Sequence, residues 1–291
     1  NGKIINLMKF NILPIAGDAS FRRFYRLKLN KSSRILVFAT RDKYKNLIAY
    51  SSVNKFLRNN KILAPKLYSY NFSKGFIIIE DFGNLSFYKI LLRSKNKLII
   101  YKKLVDLLIK IQKIRPKNKI INLNKTSHKI NKYSKKYLFK ETNLFFDWYL
   151  PMFLTKKKAI NIKKKSNKIL FKNYNKLNFS NSYFVHRDYH VQNLMKVGKK
   201  IGVIDSQDTL IGNPAYDLVS LIDDVRITTS RKLKNQIYTY YLKKNSKINT
   251  KDFFEDFNIL SVQRSLKIIG IFSRLFFRDK KKQYLKYIPY T

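Results

Sequence analysis

Cysteine is absent from the 291 residues, which excludes a disulfide framework, a thiolate metal site and a thiol nucleophile. Such a chain suits a reducing interior. No apolar run reaches the roughly 20 residues that a membrane-spanning helix needs. The nearest candidate, "NLFFDWYLPMFL" (143–154), is short and carries Asp147, so no membrane partner is expected. The opening "KIINLMKFNILPIAGDA" loosely imitates a secretory signal, but Lys9 and Asn11 break its apolar run and it reads as a first strand. The chain begins at Asn1 rather than Met, as a trimmed or partial chain does.

Acids are scarce: 17 Asp and Glu stand against 62 Lys and Arg, a formal charge of +45. That charge raises nucleic acid as a partner class. No nucleic-acid motif accompanies it, and Lys, Asn, Ile and Tyr are abundant throughout, as AT-rich codons would produce. We therefore expect non-specific attraction to polyanions at low salt, no specific nucleic-acid partner, and solvated faces at the lysine clusters 156–158, 163–165 and 280–282. Scarcity also makes each acid informative. Asp188, Asp205, Asp208 and Asp217 fall in one short span.

What is present is globular: 45% of residues are hydrophobic and 15% aromatic. The first eighty residues read as β-rich, with the runs "NILPI", "FRRFYRLKL", "RILVFAT", "KLYSY" and "GFIII" separated by turn-like stretches. One helical stretch interrupts them, with Tyr50, Val53 and Leu57 on a face. Beyond "EDFGN" (80–84) the pattern is helical. Tyr101, Leu104, Val105, Leu108 and Ile111 repeat at helical spacing, as do Phe145, Trp148, Tyr149 and Met152, and Ile268, Ile271, Phe272, Leu275 and Phe276. These stripes are expected to be core faces. The expected fold is α+β, a protein-kinase-like two-lobed arrangement. Residues 1–80 form a small antiparallel β N-lobe with one helix, and 81–291 a larger, mainly helical C-lobe.

The chemistry concentrates in "FVHRDYHVQNLMKV" (184–197), which holds two of the three histidines. His186-Arg187-Asp188 with Asn193 five residues after the Asp matches the H-R-D-x-x-x-x-N loop of phosphoryl transfer. An ordinary hairpin has a similar look, but "IGVID" follows and ends in a second acid. Phosphoryl transfer needs a base near the acceptor hydroxyl, hard-oxygen metal ligands and donors around the nucleotide phosphates. Asp188 is the expected base, Asn193 and Asp205 the expected Mg²⁺ ligands. His186 is expected to brace the loop, and His190 to touch substrate or make a structural hydrogen bond. Asp208 either assists a second metal or solvates a turn. Asp217 either opens the helix of "DLVSLIDDV" or braces the catalytic loop.

The nucleotide side departs from protein kinases. "AGDASFRRFYRL" (16–27) has one glycine where G-x-G-x-x-G has three. Backbone amides near Ser20, with Arg22 or Arg23, are expected to hold the phosphates of ATP. Glu80 marks the connector where adenine would meet backbone. "RILVFAT" carries no lysine, and no acid occurs from Lys43 through Ile79, so the usual strand-lysine to helix-acid ion pair cannot form there. "DSQD" replaces D-F-G, and "NPAYD" follows too soon for a long activation segment. A small-molecule acceptor is the better reading.

"GDASFRRFYRL", "FVHRDYHVQNLM", "GVIDSQDTLIGNPAYDLVSLIDD" and "VQRSLKIIGIFSRLFFRDKKKQYLKYIP" together resemble the aminoglycoside phosphotransferase superfamily. Within it they resemble the bacterial anomeric kinases of N-acetylmuramate and N-acetylglucosamine. The resemblance runs from about Leu13 to Pro289. It implies ATP and Mg²⁺ as cofactors, γ-phosphoryl transfer to the anomeric hydroxyl of an amino sugar, and a cytoplasmic place in cell-wall recycling. It gives Asp188 the base role and Asn193 and Asp205 the metal. Ser206 departs from the branch, which has an aromatic there, so packing behind the metal Asp is expected to differ. For the sugar, "ETNLFFDWYL" offers Glu141, Asp147 and Trp148, an indole face to stack on a pyranose beside carboxylates that accept from its hydroxyls. The plain alternatives are a buried Trp148 and a Glu141 that favours a helix start. The competing functions are a kinase of another small hydroxyl acceptor, such as an aminoglycoside or a choline-like alcohol, and a weakly catalytic kinase-fold binding module.

Overall fold

The structure, a computed structural model, describes residues 11–15, 22–29, 32–40, 45–121 and 127–291. Its elements run β1 (Asn11–Ile15), β2 (Arg23–Leu29), β3 (Ser32–Phe38), α1 (Lys45–Asn59), β4 (Leu67–Asn71), β5 (Phe76–Glu80), α2 (Phe87–Arg93), α3 (Lys97–Gln112), β6 (Lys119–Ile121) and β7 (Ser127–Lys129). There follow α4 (Lys135–Leu144), α5 (Lys156–Asn175), β8 (Tyr183–Val185), β9 (Leu194–Val197), β10 (Lys200–Val203), β11 (Leu210–Gly212), α6 (Ala215–Ile222), α7 (Arg231–Lys244) and α8 (Thr250–Asp279). The fold is α+β. No helix among the described residues is long and apolar enough to cross a membrane.

The chain packs as two compact units. The first holds the described residues up to Ile90 together with Lys117–Ile130 and Gln192–Thr209. Its sheet is wholly antiparallel, in the order β1-β2-β3-β5-β4. The five strands and single helix are those the runs of the first eighty residues predict. Alternation in β3 and β5 points Ile35, Val37, Ile77 and Ile79 to one face, where Leu47 and Tyr50 of α1 meet them. Each such burial is worth about 1.5–3 kcal/mol. Ile78, on the opposite face of β5, is also buried, so the strand is covered on both sides and reads as a continuous apolar run. After β5, Asp81 takes two bonds from Arg26, at 2.5 and 3.0 Å, and one from the Gly83 amide at 2.8 Å.

The β9–β10 hairpin belongs to this unit. Its backbone is bonded to the connectors before β4 and after β5, Val203 N to Leu63 O and Lys196 N to Leu85 O, both at 2.8 Å. Gly202 allows the contact: a Cβ there would stand 2.5 Å from the Phe82 ring. A single cut at residue 80 therefore does not describe the packing, because hydrogen bonds tie 192–209 to residues that precede 90.

The second unit holds Leu91–Pro116, Asn131–Val191 and Leu210–Thr291. Tyr101, Leu104, Val105, Leu108 and Ile111 of α3 are all fully buried, and so is every residue of α6. β8 pairs with β11. Four helix starts carry side-chain caps: Asn96, Thr155, Ser230 and Asn249 each accept from an amide of the first turn. The expected stripe Phe145, Trp148, Tyr149 and Met152 is a correction. Residues Phe145–Tyr149 form a π-turn followed by a 3₁₀ turn, and Phe146 is buried while Phe145, Trp148, Tyr149 and Met152 are half-buried. The wider π-turn rotates the face that an α-helix would have presented.

Candidate active site

Two hard oxygen donors stand at one end of the β9–β10 hairpin. Val203 pairs with Leu194, and the Ile204 amide donates to the Asn193 carbonyl at 3.0 Å. The ladder thus ends with Asn193 and Asp205 in neighbouring register. Asp205 has φ 65°, a left-handed conformation that a short polar side chain tolerates, and it turns the chain into the 3₁₀ turn Ser206–Asp208.

Arg22 reaches this turn from the foot of β2. Its Nη2 donates to Asp205 Oδ1 at 2.6 Å and its Nη1 to Gln207 Oε1 at 2.9 Å. The guanidinium lies 5.5 Å from the Phe24 ring centre and 5.8 Å from that of Tyr50. Arg22 is thus buried against aromatics, while the Asp205 side chain is 35% exposed. Burial, then the Asp205 charge, pushes the Tyr50 hydroxyl up to about 12. Ser206, fully buried, donates its Oγ to Asn54 Oδ1 at 2.6 Å. Ser206 thus ties the turn to α1 by a hydrogen bond. That helix carries no acid in its first turn or elsewhere, and it meets the Asp205 turn through Asn54 and Tyr50.

The other residues expected around the nucleotide are placed differently. Ser20 lies outside the described residues. Arg23 is exposed on β2. The Glu80 carboxylate accepts from the Lys66 amide at 3.0 Å and from Arg58 Nη1 at 3.3 Å, so it braces the entry to the sheet. Among the described residues no cluster of three or more His, Cys, Asp or Glu could hold a metal. That donor set is still the one Mg²⁺ takes in nucleotide sites, where one or two carboxylates suffice beside phosphate oxygens and water. Asp205 and the Asn193 amide fit it.

The second unit carries the loop that follows β8. Two buried carboxylates of α6 and its exit fix the loop's backbone. Asp217 accepts from the His186 amide at 2.7 Å and the Arg187 amide at 3.0 Å. Asp224 accepts from the Val191 amide at 3.3 Å and from Arg226 Nη1 at 3.1 Å. Asp217, in the first turn of α6, thus braces the loop after β8. Burial pushes its carboxyl up to about 6. His186 and His190 are both buried, and burial pushes the His190 imidazole down to about 3. The loop turns tightly at Asp188, whose carbonyl accepts from the His190 amide at 2.9 Å. Burial raises the Asp188 carboxyl, but Lys267 first and Arg187 next outweigh it and hold it well below the usual range. It stays a carboxylate, the form a hydroxyl-orienting base requires.

Of the three residues expected at a sugar, Glu141 has different company. It is 6% exposed and bonded to Tyr133, Arg187, Gln263 and Lys267. It sits late in α4, not at a helix start. This corrects the expectation of a sugar ligand: protein donors fill the carboxylate. Asp147 is exposed and pairs with Lys163 Nζ at 2.6 Å, and Trp148 is half-buried on the π-turn. Sequence reasoning missed Lys267, Asn54 and Asp224. The signal for Lys267 was present: a lysine inside the apolar face of α8, one residue before Ile268, has to find a buried partner.

A family model described as "Phosphotransferase enzyme family" matches residues 11–247. The N-acetylmuramate/N-acetylglucosamine kinase of Neisseria meningitidis serogroup B is 26% identical over 288 residues, covering 96% of this chain and 83% of that protein. The kinase of the same name from Pseudomonas aeruginosa is 28% identical over 284 residues, covering 96% and 80%. The ADP-bound crystal structure of aminoglycoside phosphotransferase APH(2'')-Ib superposes with a TM-score of 0.65 at 13% identity, covering 97% of this chain and 92% of that one. The fold is protein-kinase-like.

Proposed function

Because the chain belongs to the phosphotransferase enzyme family, we propose that it transfers the γ-phosphoryl group of ATP to the anomeric hydroxyl of N-acetylmuramate or N-acetylglucosamine. The observation that carries the acceptor class is the likeness to kinases named for those two sugars, which extends over 96% of this chain. The reaction class is supported independently by a half-buried Asp188 kept ionised and by the Asn193 and Asp205 oxygens of one hairpin.

In this reading Asp188 orients the sugar hydroxyl and takes its proton as the hydroxyl oxygen attacks phosphorus. Asn193 and Asp205 hold Mg²⁺, which when bound neutralises charge on the β- and γ-phosphate oxygens. Arg22, with Ser20 and Arg23, receives the phosphates, so the guanidinium that rests on Asp205 serves where protein kinases use a strand lysine. His190 is buried against the loop and fixes it. Asp147 and Trp148 are the side chains offered to the sugar. The enzyme works in the cytoplasm, on amino sugars released from cell wall.

The test is ADP release with ATP and Mg²⁺, comparing N-acetylmuramate, N-acetylglucosamine, choline and kanamycin. We expect release that depends on an amino sugar and falls at least about 1,000-fold in Asp188→Asn, the combined loss of base and orientation. Release stimulated by choline or kanamycin alone would overturn the acceptor assignment. Sugar-dependent release that persists in Asp188→Asn would overturn the role of the aspartate.

A further inference from the structure

Glu141 sits in a four-partner cage that no sugar-binding role explains. One carboxylate oxygen meets Arg187 Nη2 and Lys267 Nζ, the latter at 3.3 Å. The other accepts from Tyr133 and from Gln263 Nε2 at 3.0 Å. The partners come from four places in the second unit: the segment before α4, the catalytic loop, and positions 263 and 267, one turn apart on α8. Lys267 is also bonded to the Tyr216 hydroxyl at 3.1 Å.

The two cations so held are those whose charges act most on Asp188. Arg187 directly precedes that aspartate and has φ 74°, costly for a residue of its bulk. The conformation is sustained by Asp217 on its amide and Glu141 on its guanidinium. In protein kinases, activation loops are ordered when a phosphorylated residue pairs with arginine. Here only seven residues separate Asp205 from Asn213, and a carboxylate from α4 supplies the negative charge.

We propose that Glu141 is a positioning residue whose fixed charge holds Arg187 and Lys267 off Asp188 and makes the enzyme competent without any phosphorylation switch. The proposal rests on the reading of Asp188 as the base. Without the Glu141 charge, the buried Lys267 and half-buried Arg187 are left with Asp188 as the carboxylate that acts on both. They close on it, and its oxygens are spent on them rather than on the acceptor hydroxyl.

The experiment compares wild type, Glu141→Gln, Glu141→Asp and the double variant Glu141→Gln/Lys267→Met. For each, kcat and the KM for ATP are measured twice, for transfer to N-acetylglucosamine and for hydrolysis of ATP without sugar. The expected result is a kcat about 100-fold lower in Glu141→Gln with the KM for ATP within about threefold. Glu141→Asp, which keeps the charge, recovers at least tenfold, and so does the double variant, which removes the surplus cation. A double variant no faster than the single one, or Glu141→Asp as slow as Glu141→Gln, overturns the proposal, since a merely structural role would add one loss to another. If Glu141→Gln does not fold, the double variant is set against wild type, and a loss beyond about 100-fold in folded protein overturns it. A wrong acceptor shows itself separately, as wild-type hydrolysis that sugar does not stimulate, and the hydrolysis readout still decides the role of Glu141.

Discussion

Replacing His190 by Gln isolates a pH dependence that the wild-type protein largely conceals. His190 is buried, with its imidazole held down to about 3, against an unfolded value of about 6.5. Below 6.5 the unfolded chain takes a proton that the folded chain refuses, so this group weakens the fold as pH falls from 6.5 towards 3. Between pH 8 and pH 5 the loss is about 1.5 units, or about 2 kcal/mol at 1.36 kcal/mol per unit. Asp217 acts in the opposite sense. Its folded value near 6 lies above its ordinary 3.8, so the folded state binds the extra proton and gains about 1.4 kcal/mol over the same range. Asp188, Glu141 and Asp224 are all held below the usual carboxylate values. Their contributions are nearly complete above about pH 5 and change little within this window. His190 and Asp217 thus nearly cancel, leaving a fall of about 0.6 kcal/mol, to which His128 adds in the same direction because burial also holds its imidazole down. Urea unfolding of wild type and His190→Gln at pH 8, 6.5 and 5 reads the difference directly. The stability gap should move by about 2 kcal/mol in favour of the variant at pH 5. Asp217→Asn should expose the histidine loss as a steep curve, unlike the flatter one of wild type. A gap that stays constant from pH 8 to 5 would mean that His190 is charged in the folded protein, and the reasoning fails.

Gly270 lies where α8 crosses the end of α4, and a Cβ there would stand 2.3 Å from the Leu144 carbonyl carbon and 2.4 Å from the Phe145 nitrogen. Both are backbone atoms that cannot rotate away, so Gly270→Ala should cost about 1–3 kcal/mol net despite the better helix propensity of alanine. A raised melting temperature would contradict this. Arg22→Met should weaken binding of Mg²⁺-ATP about tenfold, read with a fluorescent nucleotide, since it removes a charge-assisted phosphate donor. Arg22→Lys should recover part of the loss, as a point charge without the fork. Unchanged nucleotide affinity in both variants would remove Arg22 from the nucleotide site.

The loop after β8 stood out as a candidate site because its residues are local. His186, Arg187, Asp188 and Asn193 lie within eight residues, and periodicity alone marked the α3 face and the strands of the first sheet. What escaped was set by pairs distant in sequence. Arg22 meets Asp205 across 183 residues and Ser206 meets Asn54 across 152, so the absence of a strand lysine could be read but not these pairings. The π-turn escaped for a different reason. "FFDWYL" has the spacing of an α-helical face, and only the close backbone approach that Gly270 permits at Leu144 and Phe145 marks that segment as anything else.

Charge balance joins these observations. A solvated lysine on a chain of this composition costs little, and surface ion pairs contribute about 0–1 kcal/mol. The 17 acids of the sequence are a different population. Asp217, Asp224 and Asp256 are buried and accept backbone amides, while Glu141 is buried among cations. Each satisfies donors that would otherwise be buried without an acceptor, at a penalty of about 1–3 kcal/mol per group. Asp256 makes the point away from any catalytic residue: it receives the Asn178 and Phe179 amides at 2.8 and 2.9 Å and Asn213 Nδ2 at 2.5 Å. That clamp fixes the approach to β8 and the Asn213 turn before α6, the two elements that meet at the catalytic loop. In so basic a chain the position of an acid is itself a structural signal. Substituting Asp256 by Asn should therefore destabilise the protein more than neutralising any of the exposed lysines at 156–158, and by a margin that salt does not remove.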